Sequence, residues 1–133
     1  MKKIVFVLEQ LYGGGAERVT NVLANEICNK PDYQVHLLTY RQDAQRDFAH
    51  DERVIRHNMG QSAEGESRIK GIQKRIRFLR DTIREINPDC VVSLAMPRTV
   101  VLLVIAMLGS KIPLILSERN DPVRFPTSKY VRA

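Results

Sequence analysis

Apolar residues along the chain follow two patterns, and the two alternate. Short apolar runs occur at residues 4–8, 90–94 and 114–117, and residues 34–40 read as a further strand through Val35, Leu37 and Leu38. Runs of this kind mark strands buried on both faces, as in a parallel sheet. Between them the spacing becomes helical. Val19, Val22, Leu23 and Ile27 recur on one side of a helix that Ala16 and Glu17 open and Pro31 stops. The clearest signal covers 68–87, where Ile69, Ile72, Ile76, Leu79, Ile83 and Ile86 step by three and four until Pro88. A third helix starts at Pro97, whose missing N–H costs nothing in a first turn, and runs to about Leu108, with Gly109 beyond it. Residues 53–57 form a weaker strand. Residues 41–52, 58–67 and 118–126 are polar and read as loops, and Thr127 caps one more helix.

The predicted order is therefore β-α-β-β-α-β-α-β followed by the start of a helix. Short strands alternating with helices indicate an α/β fold with a parallel sheet and helices on both faces. The 133 residues suffice for one domain with a single core. Apolar residues at 44% and charged residues at 27% exclude disorder for the whole chain.

The longest apolar run, 100–108, is far short of the about 20 residues that a membrane span needs. Residues 4–8 are too short for the apolar region of a secretory signal, although two lysines precede them. Cys28 and Cys90 lie in apolar segments without C-x-x-C spacing or a nearby histidine pair, so they read as buried thiols of a reducing compartment. His36, His50 and His57 are scattered, with no metal-ligand spacing; His36 reads as packed or at a sheet edge. The formal net charge of +6 favours anionic partners without choosing among them. Nucleic acid is excluded as the expected partner, because no aromatics interleave with the basic residues and aromatics make up only 6%.

Ligands of parallel α/β sheets bind beyond the carboxyl ends of the strands. Three features fall there: the Gly13-Gly14-Gly15 turn, the turn at 95–98, and the loop at 118–121. Glycines let the backbone approach a ligand closely, and the helix behind them offers unpaired N–H groups and partial positive charge. No Lys-Ser or Lys-Thr follows, so this is no Walker A loop. Arg18 stands where the last glycine of G-x-G-x-x-G would fall, so a dinucleotide site is disfavoured. A glycine triplet by itself serves equally well as a plain flexible turn.

The segment Gly13-Gly14-Gly15-Ala16-Glu17-Arg18-Val19 after a first strand resembles the G-G-A-E-R signature of family 4 glycosyltransferases. Val22-Leu23-Ala24 continues it. Tyr33-Gln34-Val35-His36-Leu37-Leu38-Thr39 is similar to that family's second strand, and Asn87-Pro88-Asp89-Cys90-Val91-Val92 to the opening of a later one. Leu116-Ser117-Glu118-Arg119-Asn120-Asp121-Pro122 resembles a loop common in bacterial polysaccharide members.

The resemblance implies the Rossmann-like N-terminal, acceptor-side domain of a GT-B type glycosyltransferase. Residues 1–133 would form that domain in truncated form, with the nucleotide-sugar-binding domain supplied by missing sequence or by a separate chain. The implied activity is transfer of a sugar from a nucleotide-diphospho-sugar, foremost a UDP-sugar, to a saccharide or lipid-linked acceptor in polysaccharide or lipopolysaccharide biosynthesis, with retention at the anomeric carbon. The alternative is a non-catalytic binding or membrane-recruiting half of a two-chain transferase. No cofactor is implied. The absence of Asp-x-Asp fits metal independence, so amides, helix ends and basic side chains would stabilise the leaving diphosphate.

On this reading Gly13, Gly14 and Gly15 contact the donor. Glu118 is the candidate catalytic residue, orienting the acceptor hydroxyl or taking its proton; the competing role is a loop carboxylate paired with Arg119. Glu17, Arg18, Arg98 and Arg119 are acceptor or cleft candidates. Against that stand a helix-dipole role for Glu17 and solvated arginines at 18 and 98. Asn120 and Asp121 read as turn residues. The helix 68–87 carries Lys70, Lys74, Arg77 and Arg84 opposite its isoleucines, a face either solvated or drawn to anionic lipid. The implied location is cytoplasmic, with peripheral contact at the inner face of the cell membrane.

Overall fold

The computed structural model describes residues 1–60, 67–94 and 97–117. The elements run β1 (Lys2–Leu8), α1 (Gly15–Cys28), β2 (Tyr33–Thr39), β3 (Ile55–Asn58), α2 (Arg68–Ile86), β4 (Cys90–Ser93), α3 (Pro97–Ala106) and β5 (Leu114–Leu116), in the order the apolar pattern predicts. All four strand pairings among the described residues are parallel, and these strands lie side by side as β3-β2-β1-β4-β5. The order reverses at β1. Its neighbours β2 and β4 are reached by crossovers in opposite directions, which opens a crevice at the carboxyl ends of β1 and β4.

Alternation along the central strands builds two cores. Val5 and Val7 of β1, Leu38 of β2 and Val91 of β4 pack with Leu79 and Ile83 of α2 and with Leu102 and Leu103 of α3. Phe6 and Leu8, with Val35 and Leu37, face the other way and pack with Ala24 and Cys28 of α1 and with Leu11 and Val54. Each large apolar side chain so buried contributes about 1.5–3 kcal/mol. The Rossmann-like α/β fold with helices on both faces is thereby established.

Helix ends follow local chemistry. Ser67 caps α2, its hydroxyl accepting from the Lys70 amide at 3.2 Å. Asn87 closes α2 in the left-handed conformation (φ 50°), and Pro88 follows. Asp89 then ties β4 to β1, its amide donating to the Lys3 carbonyl at 2.8 Å and its carboxylate accepting the Lys3 amide at 2.7 Å.

Several boundaries and environments differ from the sequence reading. α1 stops at Cys28, ahead of Pro31, where the Asn29 amide tightens onto the Glu26 carbonyl. The third strand begins at Ile55 because Arg53 is taken up by Asp51, donating to both carboxylate oxygens. α3 ends at Ala106, and Gly109 (φ +80°) closes the turn that follows. Ile69 is 69% exposed and Ile72 38%, so the first turns of α2 project beyond the sheet and only the later isoleucines bury. Cys28 is buried, whereas Cys90 is only half-buried, and both thiols are free.

Candidate functional site

The turn after β1 is anchored before it reaches the glycines. Leu11 is fully buried, and its carbonyl accepts the Phe48 amide at 2.8 Å. The Gln10 side-chain amide donates to the Tyr12 carbonyl at 3.2 Å. The chain then turns through Gly13 at φ +101°, a conformation that strains any residue with a Cβ. Gly14 is the N-cap of α1 in extended geometry, with no side chain capping it, and the first helical bond runs from the Arg18 amide to its carbonyl.

Gly13, Gly14 and Gly15 are all exposed. A Cβ at Gly15 would meet nothing within 4 Å. One at Gly14 would fall 2.5 Å from Oε2 of Glu17, so that carboxylate folds back over the helix entry. There it offsets the positive end of the dipole. An anion arriving at the same place would compete with it.

Glu9, which the sequence does not single out, links the tips of β1 and β2 to the start of α3. Its carbonyl accepts the amides of Tyr40 at 3.0 Å and Arg41 at 2.9 Å, just past the end of β2. Its Oε1 accepts the hydroxyl of Thr99, a fully buried residue in the first turn of α3, at 3.2 Å. A carboxylate thus stands at the crevice between β1 and β4. Only its position after a buried strand could have pointed to it.

The other candidates are placed as follows. Arg18 is exposed, its guanidinium carbon 6.0 Å from the centre of the Phe48 ring, which directs it toward the segment between β2 and β3. Arg98 is exposed at the second position of α3. Glu118 and Arg119, together with Asn120, Asp121 and the Thr127 helix, lie outside the described residues, as do residues 95 and 96 of the turn before α3.

Two histidines read as scattered come together across β2 and β3. Nδ1 of His36 lies 2.9 Å from Nε2 of His57, and the rings stack with centroids 5.2 Å apart. Nε2 of His36 is 2.9 Å from Oε1 of the Gln34 side-chain amide, an acceptor only. Nε2 of His36 therefore carries its proton, and Nδ1 accepts from His57. Burial, then His57, then Lys3 push the His36 pKa down to about 4. Burial also lowers that of His57, against the pull of Glu85. Among the described residues no three His, Cys, Asp or Glu side chains group as a metal site. No helix among them is long and apolar enough to cross a membrane.

No protein-family model and no curated protein matches the chain. Solved structures do. MurG of Acinetobacter baumannii superposes with a TM-score of 0.65 at 16% identity, over 90% of this chain and 35% of that one. The lipopolysaccharide outer core galactosyltransferase WaaB matches at 0.63 and 17%, over 86% and 32%. The UDP-GlcNAc 2-epimerase of Neisseria meningitidis, bound to UDP-GlcNAc, matches at 0.59 and 15%, over 86% and 31%. The chain thus spans about a third of the length of each. At these identities the likeness is one of fold, that of a single Rossmann-like lobe of the GT-B architecture.

Proposed function

We propose that this chain is the acceptor-side lobe of a glycosyltransferase that uses a nucleotide-diphospho-sugar. The observation that carries the reading is the glycine turn: three exposed glycines at the tip of the central strand, beside the point where strand order reverses, with open space over Gly15. Amides of the first turn of α1 would meet the donor diphosphate or the transferred sugar, with Glu17 swinging aside. Glu9 adds a carboxylate that accepts sugar hydroxyls at the same crevice.

The neighbours support a UDP-sugar as the donor class, since one of them was solved with UDP-GlcNAc and another is a galactosyltransferase. They include an epimerase, so transfer is favoured here by the Gly13–Val19 signature and not by the fold. Transfer would proceed with retention and without a metal, with Glu118 as the group that orients or deprotonates the acceptor. Alone, this lobe would transfer no sugar, because the lobe that holds most of the donor lies outside it.

A saccharide or lipid-linked acceptor in polysaccharide or lipopolysaccharide biosynthesis fits the exposed tip of α2, where Ile69 and Ile72 stand beside Arg68 and Lys70. Such a tip suits peripheral contact with anionic lipid at the inner face of the cell membrane. Cosedimentation with anionic but not neutral vesicles tests this part. The transfer reading is tested by expressing the uninterrupted reading frame and assaying it against a panel of labelled nucleotide-sugars. Transfer from a UDP-sugar is expected; no turnover of any donor overturns it.

A further inference from the structure

A second cleft, of about 720 Å³, has Tyr12 but none of the three glycines of the turn in its lining. It lies at the carboxyl ends of β2 and β3, against α2, and its walls include Tyr12, Tyr40, Arg41, Asn58 and Arg75. Its size falls within the range of small-molecule sites.

Among the described residues, two polar groups in its walls have no hydrogen-bond partner. Tyr40 is 2% exposed, and its buried hydroxyl makes no hydrogen bond. Nε of Arg75 is likewise buried and unpaired. Buried polar groups are nearly always satisfied, because leaving one unmade forfeits its hydration. Neither side chain is loose. The Arg75 guanidinium carbon sits over the Tyr40 ring, 5.1 Å from its centre, which holds the two side chains together in the wall.

The charge of the cleft is positive. Arg41 and Arg75 contribute to it, and Asp43, the one carboxylate among the described residues of its wall, is already engaged. Its Oδ1 accepts the amides of Gln45 at 3.0 Å and Arg46 at 3.3 Å, and its Oδ2 lies 3.5 Å from Nε of Arg46. An N–H donor of a planar fork and an O–H donor in the walls of one cleft suit the oxygens of a phosphate or carboxylate.

We propose that this cleft is an anion-recognising subsite that receives the phosphate or carboxylate group of an acidic sugar, with Arg75 and Tyr40 as the paired donors. The proposal rests on the sugar-transfer reading, because an acidic saccharide is the anion such a lobe would meet. Gly13, Gly14 and Gly15 do not line this cleft, so on this proposal one lobe holds two anions: the donor diphosphate at α1 and an acidic group of the acceptor at β2 and β3.

The test is a titration of the isotope-labelled chain followed by NMR at the Arg75 Nε–H and the Arg41 amide. The probes are α-glucose 1-phosphate, glucuronate and neutral glucose. Saturable shifts with one or both acids, and none with glucose, are expected. The phosphate and carboxylate arms tell which acid the site takes. Tyr40→Phe, which deletes only the unpaired hydroxyl and so retains the fold, should weaken that binding about tenfold. Arg75→Lys, which keeps the charge and loses the fork, should weaken it by at least as much, read at the Arg41 amide. No shift with either acid overturns the proposal, as do equal shifts with glucose or unchanged affinity in both variants. UDP, titrated separately, reports on the glycine-turn amides. If UDP moves those and the acids leave Arg75 unmoved, the second subsite falls while the transfer reading stands. If the acids bind and UDP does not, the anion site survives and its transferase premise fails.

Discussion

The hydroxyl of Thr99 donates to Oε1 of Glu9 at 3.2 Å, joining the start of α3 to the tip of β1 across the crevice where the strand order reverses. Thr99 is fully buried, so its replacement by valine keeps the shape and removes only the donor. Thr99→Val should cost about 1 kcal/mol and lower the thermal midpoint by about 4 °C. An unchanged midpoint would mean that the bond does not hold Glu9 in place.

The glycines of the turn should respond to alanine in opposite ways. Gly13 adopts φ +101°, so Gly13→Ala should destabilise the chain by about 1 kcal/mol or more. Gly15 opens α1 with free space around a would-be Cβ. Gly15→Ala should therefore leave the fold intact or stabilise it by about 0.4–1 kcal/mol, through lower unfolded-state entropy and better helix propensity. Urea unfolding of both variants checks this. A loss of stability at Gly15 would place its role in the fold and not at a ligand.

Glu17→Gln removes the negative charge folded over the helix entry. The helix should lose about 0.3–1 kcal/mol of dipole stabilisation, and a phosphate-bearing ligand should bind more tightly because its competitor is gone. Calorimetric titration with UDP checks the second effect. Weaker binding in this variant would mark Glu17 as a ligand contact.

Stability should fall on acidification through the His36–His57 pair. The folded state holds His36 near pKa 4, against an unfolded value of 6.5. Between those values the unfolded chain binds the proton and the folded chain does not, so stability rises with pH across this window. It is complete above about pH 6.5 and is lost as pH falls toward 4, by on the order of 3 kcal/mol. Urea midpoints from pH 4 to 7 in the wild type and in His36→Gln should diverge in slope. Parallel profiles would show that His36 titrates freely in the folded chain.

The element order and the place of the glycine turn were legible because they rest on local pattern: short apolar runs, three-and-four spacing, and punctuation by Gly13, Pro88 and Gly109. Relationships between distant positions were not. The His36–His57 contact depends on how β2 registers against β3. The cleft lined by Tyr40 and Arg75 depends on where α2 lies. Both join residues whose identities alone carry no signal. Glu9 was hidden for the same reason, since its partners lie on β2 and α3. The isoleucine spacing of α2 also overstated its burial, because periodicity shows which face is apolar but not how far the sheet extends beneath it. Ile69 and Ile72 project past that edge.

The central claim is that the amides at the start of α1 receive the donor's diphosphate, and a UDP titration of the isotope-labelled chain tests it most directly. The account predicts saturable amide shifts confined to Gly14, Gly15, Ala16 and Glu17, in the millimolar range for a single lobe, and weaker binding in Gly15→Ala at unchanged stability. Shifts absent from that turn, or equal affinity in Gly15→Ala, would contradict it.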